Sequence, residues 1–119
     1  MADESNAGYL EVDCIPDGCC VTVRLAGEVD IASVDQVRAA TREARDRGAV
    51  HLIIDCQQLD FLDSSGVKAL LEAHDSFDGM VVLVRPRRVV TRVFEVTGLD
   101  QLFAVSDSLE RAKEAVHGM

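Results

Sequence analysis

AVHLIIDCQQLDFLDSSGVKALLEAHDSFDGMVVLV, Ala49–Val84, is the stretch whose reading decides the fold. It opens on an apolar run, AVHLIIDC (Ala49–Cys56), and closes on another, MVVLV (Met80–Val84). Short continuous apolar runs of this kind belong to strands buried on both faces of a parallel sheet. Between them Val67, Leu70, Leu71 and His74 fall at i, i+3, i+4 and i+7, which predicts a helix that ends near Ser76. Strand, helix and strand in that order imply a parallel crossover.

Upstream, Leu10, Val12 and Cys14 alternate with Glu11 and Asp13, and Pro16-Asp17-Gly18 follows as a turn, so a hairpin precedes the crossover. Its second strand, CVTVRLAGEV (Cys20–Val29), sends Val21, Val23 and Leu25 to one face and Thr22 and Arg24 to the other, which fits a sheet solvated on one side there. Ser33 and Gln36 stand at capping-box spacing before an apolar stripe of Val34, Val37, Ala40 and Ala44, with Gly48 as the stop. Downstream, Val89, Val90, Val93 and Phe94 predict a helix from Arg87 to Val96 that Gly98 ends. A short strand or turn over Leu102–Val105 and a last helix follow, the helix carrying Leu109, Ala112 and Val116 and capped by Ser106 or Asp107. The expected fold class is α/β: a small mixed sheet, hairpin plus parallel strands, packed with about four helices.

At 119 residues the chain is expected to be a single domain over 1–119, with residues 1–8, MADESNAG, as a flexible lead-in. A hydrophobic share of 48% with only 4% aromatics predicts an aliphatic core. With 21 acids against 12 bases, the net charge of −9 repels a phosphate backbone or an anionic leaflet, so neither nucleic acid nor membrane is an expected partner. The absence of a leader or an apolar span points to the cytoplasm. Cys14, Cys19, Cys20 and Cys56 show neither a C-x-x-C pair nor zinc spacing, so they read as small hydrophobes and no metal is expected.

The strand Ala49–Cys56 and a short loop deliver Asp63-Ser64-Ser65-Gly66 to the start of a helix, at the strand end where open sheets commonly place functional groups. Asp and Ser are also favoured helix caps, and a glycine there permits close packing. The residues by themselves leave a structural and a functional role open. A serine nucleophile needs a base within about 3 Å. His74 is ten positions along the same helix from Ser64, about 15 Å away at 1.5 Å per residue; His51 begins a strand and His117 lies near the end of the chain. With no G-x-S-x-G elbow either, no catalytic residue is assigned. A receiver-type phosphoaspartate is disfavoured too: paired acids closing the first strand and a lysine ending the last are both missing. Asp60 and Asp63 then read as solvated loop acids.

LDFLDSSGVKALL, with GEVDIASVDQV before it and VFEVTGLDQLF after it, resembles a STAS domain of the anti-sigma factor antagonist type over nearly the whole chain. The resemblance implies that the serine after the aspartate, Ser64, is a phosphoacceptor. It implies a partner surface at Asp30, Asp60, Leu62, Asp63, Ser64, Ser65, Gly66 and Lys68, with Ser65 as a neighbouring cap. The implied partner is an anti-sigma factor with serine kinase activity; binding frees a sigma factor, phosphorylation ends the binding, and a phosphatase restores it. On that reading the chain is a substrate and not an enzyme, and it requires no cofactor. The alternatives are a STAS scaffold subunit of a sensory assembly and a nucleotide- or phosphate-binding protein using the same helix N-terminus, although no G-x-x-x-x-G-K element accompanies it. Arg85, Arg87, Arg88 and Arg92 of RPRRVVTR read mainly as a solvated basic face.

Overall fold

The computed structural model describes residues 9–118, so the lead-in expected over 1–8 lies outside the described residues. β1 (Leu10–Asp17) and β2 (Cys20–Val29) form an antiparallel hairpin. Its loop is only Gly18 and Cys19, and Gly18 takes φ +65°, the left-handed conformation that a two-residue hairpin loop opening on glycine requires. The first strand therefore runs through Pro16 and Asp17, which the sequence assigned to a turn. Pro16 is tolerated because β1 is an edge strand that pairs with β2 alone.

After α1 (Val34–Asp46), β3 (His51–Leu62) pairs in parallel with β2 on one side and with β4 (Val81–Val84) on the other. The helix between β3 and β4, α2 (Ser64–Ser76), ends where expected. α3 (Arg88–Thr97), a one-turn α4 (Leu99–Leu102), β5 (Ala104–Ser106) and α5 (Leu109–His117) complete the order. The sheet is mixed, with strands in the sequential order β1-β2-β3-β4-β5. Among the described residues it has five helices, one more than expected, because Gly98 at φ +80° ends α3 and lets the chain turn at once into α4.

The helices α1 to α3 pack one face of the sheet around Val23, Leu25, Leu52, Ile54, Leu70, Phe94 and their neighbours. α5 packs the other face, over Ile53, Val82 and Val84. β3 and β4 are thus buried on both sides, and each aliphatic side chain so enclosed contributes about 1.5–3 kcal/mol. α5 is nine residues long and leaves the outer part of its face open, where Ile15 and Arg24 are exposed. The expectation of a half-solvated sheet at β2 holds only for that part: Thr22, on the same face, is 2% exposed. No helix of the described residues is long and apolar enough to cross a membrane.

Two helix faces differ from the expected stripes. In α2 the buried set is Gly66, Ala69, Leu70 and Ala73, while Leu71 is exposed. In α3 Val90 and Phe94 are buried and Val89 is exposed. The caps differ as well: Ser33 makes no side-chain cap bond, and Ser108, in place of Ser106 or Asp107, accepts from the Arg111 N–H at 3.1 Å.

Candidate functional site

The strand β3 ends six residues later than the apolar run Ala49–Cys56 implied, so Asp63 follows Leu62 of the strand directly and stands as the N-cap of α2. Its N–H donates to the Val29 carbonyl at 3.2 Å, which ties the start of the helix to the end of β2. Its carboxylate oxygen Oδ1 accepts from the N–H groups of Ser65 at 2.9 Å and Gly66 at 3.3 Å, and from the Ser65 hydroxyl at 2.5 Å. Asp63 is therefore the cap, and Ser65, expected in that role, is a donor to it. A charged acceptor at this position also complements the positive end of the helix.

Ser64, the first residue of α2, is exposed, and its hydroxyl has no side-chain partner among the described residues. Lys68, one turn later on the same helix face, is exposed and likewise unpaired among the described residues. Gly66 is buried. A Cβ there would lie 2.3 Å from Leu62 Cδ1 and 2.8 Å from Val29 Cγ1, so the glycine lets the first turn of α2 seat against the ends of β2 and β3. Leu62 itself is 4% exposed. Within the expected partner set, then, Ser64 and Lys68 face solvent, Asp63 and Ser65 are half-buried, and Leu62 and Gly66 shape the turn from beneath.

Asp30 lies in the adjoining turn after β2. Its carboxylate accepts from the N–H groups of Ala32 at 2.9 Å and Ser33 at 3.1 Å, and its own N–H donates to Ser33 Oγ at 3.0 Å. The buried Ser33 hydroxyl donates to the Glu28 carbonyl at 2.8 Å. The serine read as half of a capping box instead braces the turn that carries Asp30. Asp60 is exposed at the end of β3 and forms an ion pair with Arg87, whose Nη2 donates to the Gln58 side chain at 3.0 Å. Arg85 pairs with Asp107 at 2.9 Å, so two of the four arginines in RPRRVVTR serve internal contacts.

Two apolar side chains that sequence reasoning passed over border this surface. Ile31, 80% exposed, follows Asp30, and Phe61, 46% exposed, precedes Leu62. For Ile31 the available signal was a large apolar residue inside a tight turn, where a side chain has no route to the core; Phe61 stands in β3, paired with Glu28, beyond the apolar run Ala49–Cys56.

All three histidines are engaged elsewhere. The His74 ring packs edge-on against Phe103 with centroids 4.9 Å apart, His51 Nδ1 accepts from the Met80 N–H at 2.9 Å, and His117 lies 3.2 Å from the Asp17 carboxylate. The four cysteines are free thiols; burial pushes Cys20 up to about 11 and raises Cys56 further. Among the described residues no group of His, Cys, Asp or Glu is arranged to hold a metal ion.

The family model for the STAS domain matches residues 9–112. An anti-sigma F factor antagonist of Lysinibacillus sphaericus is 33% identical over 103 residues, covering 83% of this chain and 87% of that protein. Among solved structures, the anti-sigma factor antagonist SpoIIAA in its unphosphorylated form superposes with a TM-score of 0.75 at 30% identity, over 93% of this chain and 98% of that one. The phosphorylated form of the Bacillus cell fate determinant SpoIIAA gives a TM-score of 0.68 at 28% identity, over 91% and 99% of the two chains.

Proposed function

The chain belongs to the STAS domain family, and from that membership we propose that it is an anti-sigma factor antagonist whose binding is switched off by phosphorylation of Ser64. The observation that carries the reading is the Asp63–Ser64 junction: the cap ties its carboxylate to Ser65 and Gly66 and leaves the Ser64 hydroxyl exposed and unbonded at the helix start. Two of the similar proteins are named as antagonists, and one of them is known in phosphorylated and unphosphorylated forms.

The partner is an anti-sigma factor that is also a serine kinase, and a phosphatase reverses the modification. Asp30, Asp60, Ser64 and Lys68 form the polar part of the contact surface, with Ile31 and Phe61 as its apolar part. A phosphate adds about −1.5 to −2 charges at the positive end of α2, so the helix tolerates it. The interface does not, because a dianion beside Asp63 resists desolvation and repels like charge. A penalty of about 3 kcal/mol lowers affinity on the order of a hundredfold. Isothermal titration of candidate anti-sigma factors with the unmodified, phosphorylated and Ser64→Ala proteins tests this. Tight binding of the first and third and weak binding of the second is expected; equal affinity for all three would remove the switch.

A further inference from the structure

On the sheet face that α5 covers only in part lies a groove of about 290 Å³, apart from the Asp63–Ser65 turn. Thr22 of β2 and Asp55 of β3 form its floor, Ile15 and Leu109 its walls, and Arg24 and Gln57 its rim. Thr22 is 2% exposed and Asp55 5%, so two polar side chains are more than nine-tenths buried here. The Thr22 hydroxyl has no hydrogen-bond partner among the described residues. Since no fully buried side-chain oxygen or nitrogen among those residues lacks a partner, its oxygen keeps some exposure, and Thr22 lines the groove. Both bonds that Asp55 accepts, from the Gln57 N–H at 3.0 Å and Gln57 Nε2 at 3.1 Å, fall on Oδ1, and by the same reasoning Oδ2 is free and accessible. Arg24 pairs in register with Asp13 on one side and Asp55 on the other, yet forms an ion pair with neither.

Thr22 and Asp55 thus place a hydroxyl and a carboxylate oxygen with no partner among the described residues in one groove beside the Arg24 guanidinium, the polar groups by which a pocket orients a ligand. The groove's one carboxylate, Asp55, and Asp13 across the ladder from Arg24 disfavour a polyanion, and the net charge of −9 adds to this. They favour a molecule that brings its own cation. We propose that the groove binds a small aliphatic zwitterion of the α-amino acid type. Its ammonium group donates to Asp55 Oδ2 and the Thr22 hydroxyl, its carboxylate faces the Arg24 guanidinium, and its alkyl chain lies against Ile15 and Leu109. The volume lies near the lower end of the range for ligand pockets, as such a ligand requires.

The test is a backbone-amide NMR titration of the full chain with L-leucine, alongside 4-methylpentanoate, which lacks the ammonium, 3-methylbutylamine, which lacks the carboxylate, and GTP. Leucine is expected to give saturable shifts at Thr22, Arg24, Asp55 and Leu109, at least tenfold stronger in affinity than either half-molecule. Arg24→Gln, at an exposed position that leaves the fold intact, is expected to abolish them, and Asp55→Asn to weaken them. The proposal is overturned if leucine up to about 10 mM gives no saturable shift at these residues. It is equally overturned if Arg24→Gln binds leucine unchanged, or if GTP occupies the groove in preference.

Discussion

The Asp63 carboxylate holds both donors of Ser65, its N–H at 2.9 Å and its hydroxyl at 2.5 Å, and so separates the two adjacent serines into different roles. Ser65 is consumed by the cap, while Ser64 is left on the surface. Asp63→Ala removes this cap and is expected to cost about 1 kcal/mol of stability, read from the urea midpoint at constant slope. Ser65→Ala, which keeps both backbone bonds to Asp63, is expected to cost less. A larger loss from Ser65→Ala than from Asp63→Ala would reverse the assignment.

Gly66→Ala sets two effects against each other. Alanine favours a helix interior by about 1 kcal/mol over glycine, but its Cβ would fall 2.3 Å from a Leu62 methyl and 2.8 Å from a Val29 methyl, both on buried side chains. Overpacking of this kind costs about 1–3 kcal/mol, so net destabilisation is expected on thermal unfolding. A raised midpoint would show that the packing there is loose.

Lys68 stands at i+4 from Ser64 on one face of α2, the spacing at which opposite charges support a helix. Phosphorylation of Ser64 is therefore expected to leave helicity unchanged and to stabilise the fold by a few tenths of a kcal/mol, about 0.2–0.5 for a pair of this kind. Lys68→Ala is expected to erase that increment. Circular dichroism and urea unfolding of the modified and unmodified proteins measure both, and a marked loss of helix on phosphorylation would contradict the interface mechanism.

Cys20 makes stability depend on alkaline pH. Burial pushes its thiol from the ordinary 9.0 to about 11, so the unfolded chain ionises first. The folded state then holds more protons between these values, and stability falls as pH rises from about 9 to 11. Cys20→Ala is expected to flatten this decline. In alkylation at pH 8 mapped by mass spectrometry, the exposed Cys19 is expected to react first, with Cys20 and Cys56 protected.

The hairpin, the parallel crossover and the site loop were legible because apolar periodicity and the Asp-Ser-Ser-Gly turn are local signals. The extra length of β3 was not, because Gln57 and Gln58 interrupt its apolar run while the strand continues to pair with β2 through two register shifts. Ser33 was misread for a physical reason: its hydroxyl has two possible uses, and only the turn at Asp30 shows that it donates to the Glu28 carbonyl and does not accept from an N–H of the helix. The exposure of Leu71 and Val89 was equally hidden, since a helix stripe gives the spacing of a buried face without fixing its rotation by one position. In the candidate site, the residue types of the turn were readable, whereas the sidedness of Ser64 against Ser65 depends on which of them the Asp63 carboxylate takes.

The most direct measurement is intact-mass and fragment mapping of the chain after incubation with ATP and candidate anti-sigma kinases from its own source, for the native protein and for Ser64→Ala. The account predicts one phosphate, located on Ser64 and absent from the alanine variant. A phosphate that persists in Ser64→Ala, or none from any of those kinases, would contradict it.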